Sequence, residues 1–259
     1  MQVVAHRGAS EEAPEHTLAA YQRALADGAD AVECDVRLTR DGHLVCVHDR
    51  RIDRTSSGTG VLSTLELADL AELDWGGWRD SWEDFEDPEA PDRDRTGILT
   101  LRSLLEAVRD SDRDVEVAIE TKHPTRYAGL VERRLVELLD EFGWLRPDAP
   151  VRVMSFSSLS LRRLRLLAPG VRTVYLMERV PVRFRNGSLP PYVPVAGPSV
   201  EVVRAFPSYV AKAKARGNQV HVWTVDRTAD VELCLDLGVD AIITNRPGRV
   251  LELIRQRSR

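Results

Sequence analysis

The chain has 259 residues, 43% of them hydrophobic and 30% charged, with a formal net charge of -5. That length suits one large α/β domain, residues 1–259, with ample apolar material for a core, and the negative charge argues against a nucleic-acid surface. No apolar run approaches the roughly eighteen residues of a membrane span, and a strand pattern begins within two residues without a basic-then-apolar leader, so a cytoplasmic protein with no integral membrane association is expected.

In chain order, short apolar runs alternate with amphipathic stretches of helical period, the pattern of β-α repeats around a parallel sheet. Strands are predicted over 3–6, 31–35, 44–48, 115–122, 151–155, 173–177, 195–198, 220–225 and 241–244. These are nine runs for the eight positions of a barrel of this size. The run 195–198 is the weakest, and Asp41-Gly42 reads as a tight turn joining the second and third runs, where strict alternation breaks. Helices are predicted over 17–27, 101–109, 126–141, 158–167, 207–216, 228–237 and 246–255. Several have Ser or Thr ahead of them, and Gly28, Gly217 and Gly238 stand where helices should stop.

Two stretches depart from the repeat. Residues 79–96 hold Trp82, Phe85, two prolines and many acids, and residues 179–198 hold five prolines with Arg179, Arg183 and Arg185. Loops this long are functional or poorly ordered, so active-site lids compete with plain solvated excursions. Cys34, Cys46 and Cys234 are odd in number and lack a CxxC spacing, which predicts reduced structural thiols rather than disulfides or thiolate zinc.

Chemistry concentrates at strand ends. Alternate residues of a strand share a face, so Glu33 and Asp35 point together while Cys34 points away. Adjacent carboxylates repel unless a cation sits between them, and hard ions such as Mg²⁺ or Ca²⁺ take oxygen ligands of this kind. In the fourth run Val115, Val117 and Ile119 share the helix-facing side, leaving Glu120 and Lys122 inward. Glu33, Asp35 and Glu120 therefore make a divalent-metal site, and Arg7 and Lys122 beside them suit an anionic substrate. A lone strand histidine is usually a hydrogen-bonded core residue. His6 and His48, however, end two strands flanking the carboxylates, which fits a general acid and base pair. His43 lies in a turn, His221 low in a strand, and His16 and His123 in loops that neighbour the crevice.

A wider set of residues carries a resemblance: His6-Arg7-Gly8, Pro14-Glu15-x-Thr17, Glu33-x-Asp35-Val36, Thr39-x-Asp41-Gly42, His48-Asp49, Ile98-Leu99-Thr100-Leu101, Glu120-Thr121-Lys122, Val222-Trp223-Thr224-Val225 and Gly238-Val239-Asp240-x-Ile242-x-Thr244-x-x-Pro247. In this order, over nearly the whole chain, it resembles the glycerophosphodiester phosphodiesterases. The resemblance implies a TIM (β/α)8 barrel with a small insertion after the third strand, about residues 53–97. It implies metal-dependent hydrolysis of a small-molecule glycerophosphodiester to sn-glycerol 3-phosphate and an alcohol. His6 and His48 would be the acid and base, Glu33, Asp35 and Glu120 the ligands of Mg²⁺ or Ca²⁺, and Arg7 and Lys122 phosphate contacts, with Trp223 lining the substrate pocket. The chain departs from the family at Glu15-His16-Thr17, where the usual triplet is Glu-Asn-Thr, and at Asp226 and Asn245, where Asn and Asp are usual. Those positions bear on pocket polarity and head-group choice. Two rivals remain: a lysophospholipase D-type phosphodiesterase, suggested by Trp75, Trp78, Trp82 and Phe85 near the insertion, and a non-catalytic phosphate-ligand barrel.

Overall fold

The computed structural model describes residues 1–78, 92–123 and 129–257. Its strands are β1 (Gln2–His6), β2 (Ala31–Leu38), β3 (Leu44–Cys46), β4 (Glu116–Thr121), β5 (Val151–Ser155), β6 (Arg172–Met177), β7 (Val195–Pro198), β8 (Gln219–Val222) and β9 (Ala241–Thr244). They run in the order β1-β9-β8-β7-β6-β5-β4-β2, and β1 pairs with β2 to close the ring. The pairs around that ring are parallel, as β1 with β2 through His6↔Glu33 and β2 with β4 through Asp35↔Glu120. The architecture is a TIM barrel.

The surplus ninth strand is β3, which lies antiparallel on the tail of β2 through Val36↔Cys46 and Leu38↔Leu44. The weak run 195–198 is a full barrel strand, paired with β6 through Val174↔Val195. Its shortness hid it, because four residues give little period to read.

The helices are α1 (Leu18–Asp27), α2 (Leu67–Ala71), α3 (Arg93–Thr96), α4 (Leu101–Arg109), α5 (Leu130–Glu141), α6 (Ser158–Leu167), α7 (Val200–Ala205), α8 (Ser208–Lys214), α9 (Thr228–Leu237) and α10 (Pro247–Arg257). Thr17, Thr100, Ser157 and Ser199 cap α1, α4, α6 and α7, each side-chain oxygen accepting from the N–H three residues on. Gly28 and Gly238 end α1 and α9 in the left-handed conformation. The helix predicted over 207–216 is α8, and α7 ahead of it carried no prediction. At six residues α7 is too short to show a helical period, and Pro207 forces the preceding Phe206 out of the helical region. The first residues of the predicted 126–141 helix, and Trp82 and Phe85, lie outside the described residues.

Between β3 and α4 the insertion has a small core of its own, in which Val45, Val47, Ile52, Leu62, Leu70 and Trp75 pack together. Trp75 donates its indole N–H to the Leu70 carbonyl at 2.9 Å, so it stabilises the insertion rather than opening toward a ligand. Trp78 is exposed. Among the described residues no helix is long and apolar enough to cross a membrane, and Cys34, Cys46 and Cys234 are all buried and unpaired.

Inside the barrel, Val4, Ala31, Ala118, Met154, Val174, Leu176, Val195, Ala241 and Ile243 form the apolar layer. Beneath it, at the N-terminal ends of the strands, lies a charged floor. Arg152, 1% exposed, donates through Nη1 to Gln2 Oε1 at 2.7 Å and Glu116 Oε2 at 2.6 Å. Arg172 Nη2 holds the other Glu116 oxygen at 2.8 Å. His221 sits in this lower region, where burial and then the Arg152 and Arg172 charges hold it well below the ordinary histidine value. Removing Arg152 takes one of two guanidinium partners from Glu116 and leaves the buried volume of a long side chain empty. Arg152→Ala is therefore expected to lower unfolding stability by about 3–5 kcal/mol, read from urea denaturation; a loss under 1 kcal/mol, on the order of a surface change, would contradict this role.

Candidate active site

The opposite, C-terminal rim of the strands gathers the acidic and basic residues. Glu33 and Asp35 leave β2 on the inward face and Glu120 leaves β4 beside them, paired in register with Asp35. All three are buried, and one ligand oxygen from each lies within 4.8 Å of the others. Such a set can hold one divalent cation. Without the counter-charges around them the three carboxylates could not share this space.

Lys122 and Arg7 supply those charges. Lys122 Nζ lies 2.8 Å from Asp35 Oδ1 and 2.7 Å from Glu120 Oε1, and Arg7 Nε lies 3.0 Å from Asp35 Oδ2. The Arg7 backbone N–H donates to Glu33 Oε2 at 3.1 Å. This contact depends on a tight turn after β1: Arg7 has φ 58° and Gly8 φ 83°. A Cβ at Gly8 would stand 2.6 Å from the Ala20 carbonyl carbon, so glycine is what lets the turn press on α1.

The protonation pattern follows from burial against pairing. Burial, then the charges of Asp35 and Glu120, holds the Glu33 carboxyl well above the usual range. Burial and then Asp35 push Glu120 up to about 8. Asp35 goes the other way: burial favours its proton, but Lys122, His16 and Arg7 outweigh it and hold the group well below the usual range. Asp35 Oδ1 is buried and carries no hydrogen bond of good geometry despite the nearby ammonium. An ionised oxygen with a free lone pair between two other carboxyls fits a metal ligand.

His6 Nε2 lies 4.0 Å from Glu33 Oε2, and its Nδ1 is 2.7 Å from Asn245 Oδ1. Burial and then Arg7 push His6 down to about 3. His48 follows β3; its Nδ1 lies 2.7 Å from Asp49 Oδ1. Its carbonyl accepts from Arg37 Nε at 2.9 Å. Burial is the first cause of its lowered pKa, with Lys122 and Arg7 adding to it against Asp35.

A cavity of about 110 Å³ is lined by His6, Arg7, Glu33, His48, Glu120, Lys122, Phe156 and Trp223, among others. Seven of the eight residues singled out from sequence thus reach one hollow. The eighth, Asp35, sits behind Lys122 and Arg7, 1% exposed. Trp223 donates its indole N–H to the Gly197 carbonyl at 2.8 Å and meets Phe156 edge to face. Phe156, remote in sequence from every quoted motif, carried no signal beyond its place after β5. His16 is closer than a neighbour: its Nε2 is 3.0 Å from Asp35 Oδ2 and its Nδ1 2.8 Å from the Tyr21 hydroxyl. His123 instead pairs with Glu132, and His43 is exposed in its turn.

Comparison with known proteins identifies the family. Residues 6–249 match the Glycerophosphoryl diester phosphodiesterase family. A Mycobacterium tuberculosis protein named "Probable glycerophosphodiester phosphodiesterase 1" is 49% identical over 253 residues, covering 95% of this chain and 90% of that protein. The glycerophosphodiester phosphodiesterase of Caldanaerobacter subterraneus subsp. tengcongensis is 33% identical, with 98% of each covered. An Oleispira antarctica phosphodiesterase, solved in complex with the product sn-glycerol-3-phosphate, superposes with a TM-score of 0.82 at 26% identity, covering 98% of this chain and 97% of that one.

Burial raises both Glu33 and Glu120, the latter to about 8, so a cation that takes these oxygens competes with protons. Calorimetric titration with Ca²⁺ or Mg²⁺ in buffers of different ionisation enthalpy is expected to show net proton release on binding at pH 7, with affinity rising as pH rises toward 8. Binding without proton release, or none at all, would contradict the trio as ligands.

Proposed function

The chain belongs to the glycerophosphoryl diester phosphodiesterase family, and from that premise we propose that its rim cavity hydrolyses glycerophosphodiesters to sn-glycerol 3-phosphate and an alcohol, with His6 and His48 as acid and base. The observation that carries the reading is the meeting of both histidines, Arg7, Lys122 and two of the three acidic side chains on one hollow at the barrel's C-terminal rim. The support from relatives is that they are phosphodiesterases, one of them solved with glycerol phosphate. A cytoplasmic location goes with the reading, in keeping with three buried, reduced thiols.

Glu33, Asp35 and Glu120 would hold a divalent ion, Mg²⁺ or Ca²⁺, which supplies Lewis-acid polarisation of a phosphoryl oxygen. Arg7 and Lys122 bind the non-bridging oxygens of the phosphate, and their pairing with buried carboxylates keeps both cations in place before substrate arrives. One histidine takes the proton of the glyceryl 2-hydroxyl as that oxygen attacks phosphorus; the other protonates the departing alcohol oxygen. Water then opens the cyclic phosphate with the two roles reversed. Holding the hydroxyl in line is worth up to about 7–11 kcal/mol of barrier for well-oriented groups. A substrate lacking the 2-hydroxyl tests this route, since unimpaired turnover of the deoxy compound excludes internal attack.

Trp223 and Phe156 make the apolar wall of the hollow and would pack against the carbon skeleton of the glyceryl or alcohol group. Trp75 is buried in the insertion and drops out of the aromatic argument for a lysophospholipid substrate, which keeps the exposed Trp78; Trp82 and Phe85 lie outside the described residues. Side-by-side assay of glycerophosphocholine and lysophosphatidylcholine is expected to favour the former in kcat/KM; a reversed preference would establish the lysophospholipase D-type activity instead. His6→Ala and His48→Ala are each expected to reduce kcat by about 10²- to 10⁴-fold, with the double variant little worse than either. Near-normal turnover of either single variant would overturn the pairing.

A further inference from the structure

Behind His6 stands a second pair of residues, from the ends of β8 and β9, to which the chemistry above gives no task. Asn245 follows β9, and its Oδ1 lies 2.7 Å from His6 Nδ1. Its Nδ2 donates to Asp226 Oδ2 at 2.7 Å, and its backbone N–H donates to Asp226 Oδ1 at 2.8 Å. Thr244 Oγ1 donates to that same Asp226 oxygen at 3.0 Å. Ser10 Oγ lies 2.8 Å from Asn245 Oδ1 and 2.8 Å from the His6 carbonyl.

The donor and acceptor chemistry allows one arrangement. A carboxylate only accepts, so the amide nitrogen of Asn245 must face Asp226 and the amide oxygen must face His6. An amide oxygen also only accepts, so His6 Nδ1 must carry the proton. The lone pair of the neutral ring then sits on Nε2, the nitrogen nearer Glu33. Flipping the amide would set two acceptors against each other at Asp226 and remove the acceptor that Ser10 also approaches.

We infer that Asp226 and Asn245 are a positioning pair that fixes the tautomer and ring plane of His6, so that Nε2 is the atom that exchanges a proton with substrate. Asp226 has no contact with His6 yet decides which of its nitrogens reacts. The inference rests on the acid-base reading of His6, but the tautomer is measurable without turnover.

Exchange of the two residues supplies the test. Asp226→Asn lets the neighbouring amide turn either way, and Asn245→Asp sets two carboxyl groups against each other. Each is expected to lower kcat about 10- to 100-fold while KM for glycerophosphocholine moves less than about threefold. The double variant D226N/N245D again pairs one amide with one carboxylate, and its carboxylate can accept from His6 Nδ1–H. It is expected to regain at least about tenfold in kcat over N245D. Long-range ¹H–¹⁵N spectra of histidine-labelled protein, assigned with His6→Gln, should show the Nδ1–H form for His6 in the wild type and a mixture of tautomers in D226N. An Nε2–H signal in the wild type overturns the inference, as does a double variant no faster than N245D at unchanged Tm. An inactive wild-type protein with the Nδ1–H signal would defeat the phosphodiesterase reading and leave the tautomer lock standing.

Discussion

Three buried carboxylates whose oxygens lie within 4.8 Å of one another are the constraint around which this molecule is arranged. Left alone, such a cluster is strongly unfavourable, because burial and mutual repulsion both oppose ionisation. The chain answers by splitting the trio. Arg7, Lys122 and His16 surround Asp35 and favour its ionised form, whereas burial and neighbouring charges raise Glu33 and Glu120. Counter-charges from the turn after β1 and the loop after β4 are therefore part of the acidic site, and the left-handed turn at Arg7 and Gly8 exists to deliver one of them.

The barrel separates that problem from the problem of folding. Its floor pairs Arg152 and Arg172 with Glu116 and Gln2, its middle is apolar, and its rim carries the acidic cluster. A rim of this kind lowers stability in return for preorganised electrostatics, and the layers beneath must offset it. The insertion contributes on the rim side. Arg54 bonds Asp49 at 2.6 Å and Glu15 at 2.7 Å, and Asp49 and Glu15 in turn hold His48 and Arg7. The brace for one histidine is thus ionic and built from the insertion, while the brace for the other is an amide backed by a carboxylate from the last two strands.

Much of this was readable in the residues. Alternation placed Glu33 and Asp35 on one face and Glu120 and Lys122 inward, because the two-residue period of a strand leaves no freedom in that choice. His6 ends β1 as its strand pattern implied, whereas His48 lies past β3, which turns the chain back along β2 toward Asp35. What alternation could not say is which of these side chains is open: Asp35 lies behind its cations, a consequence of how Arg7 and Lys122 fold back. The charged floor was hidden for a related reason. Arg152 sits in Val151-Arg152-Val153-Met154, where a lone arginine among apolar residues suggests a solvent-facing position, yet the register Ala118↔Arg152 puts it inside. The departures at 226 and 245 were visible as an exchanged Asp and Asn, but only the hydrogen bonds give the exchange a meaning.

Charge conservation links these features to turnover. With all three carboxyls ionised, Arg7 and Lys122 leave the rim one negative charge in excess, and a divalent cation turns that into one positive charge. A phosphodiester carries a single negative charge, so the loaded site with substrate is neutral, a favourable state for a poorly solvated hollow. A phosphate monoester carries about -1.5 to -2 near neutral pH, so hydrolysis leaves the same hollow with excess negative charge beside Glu33 and Glu120. Arg7 and Lys122 attract the extra product charge, but that charge costs more to desolvate in the hollow, and protonation or departure of the product restores neutrality. On this account three carboxylates set against two cations would, with a divalent ion bound as proposed, suit a singly charged diester.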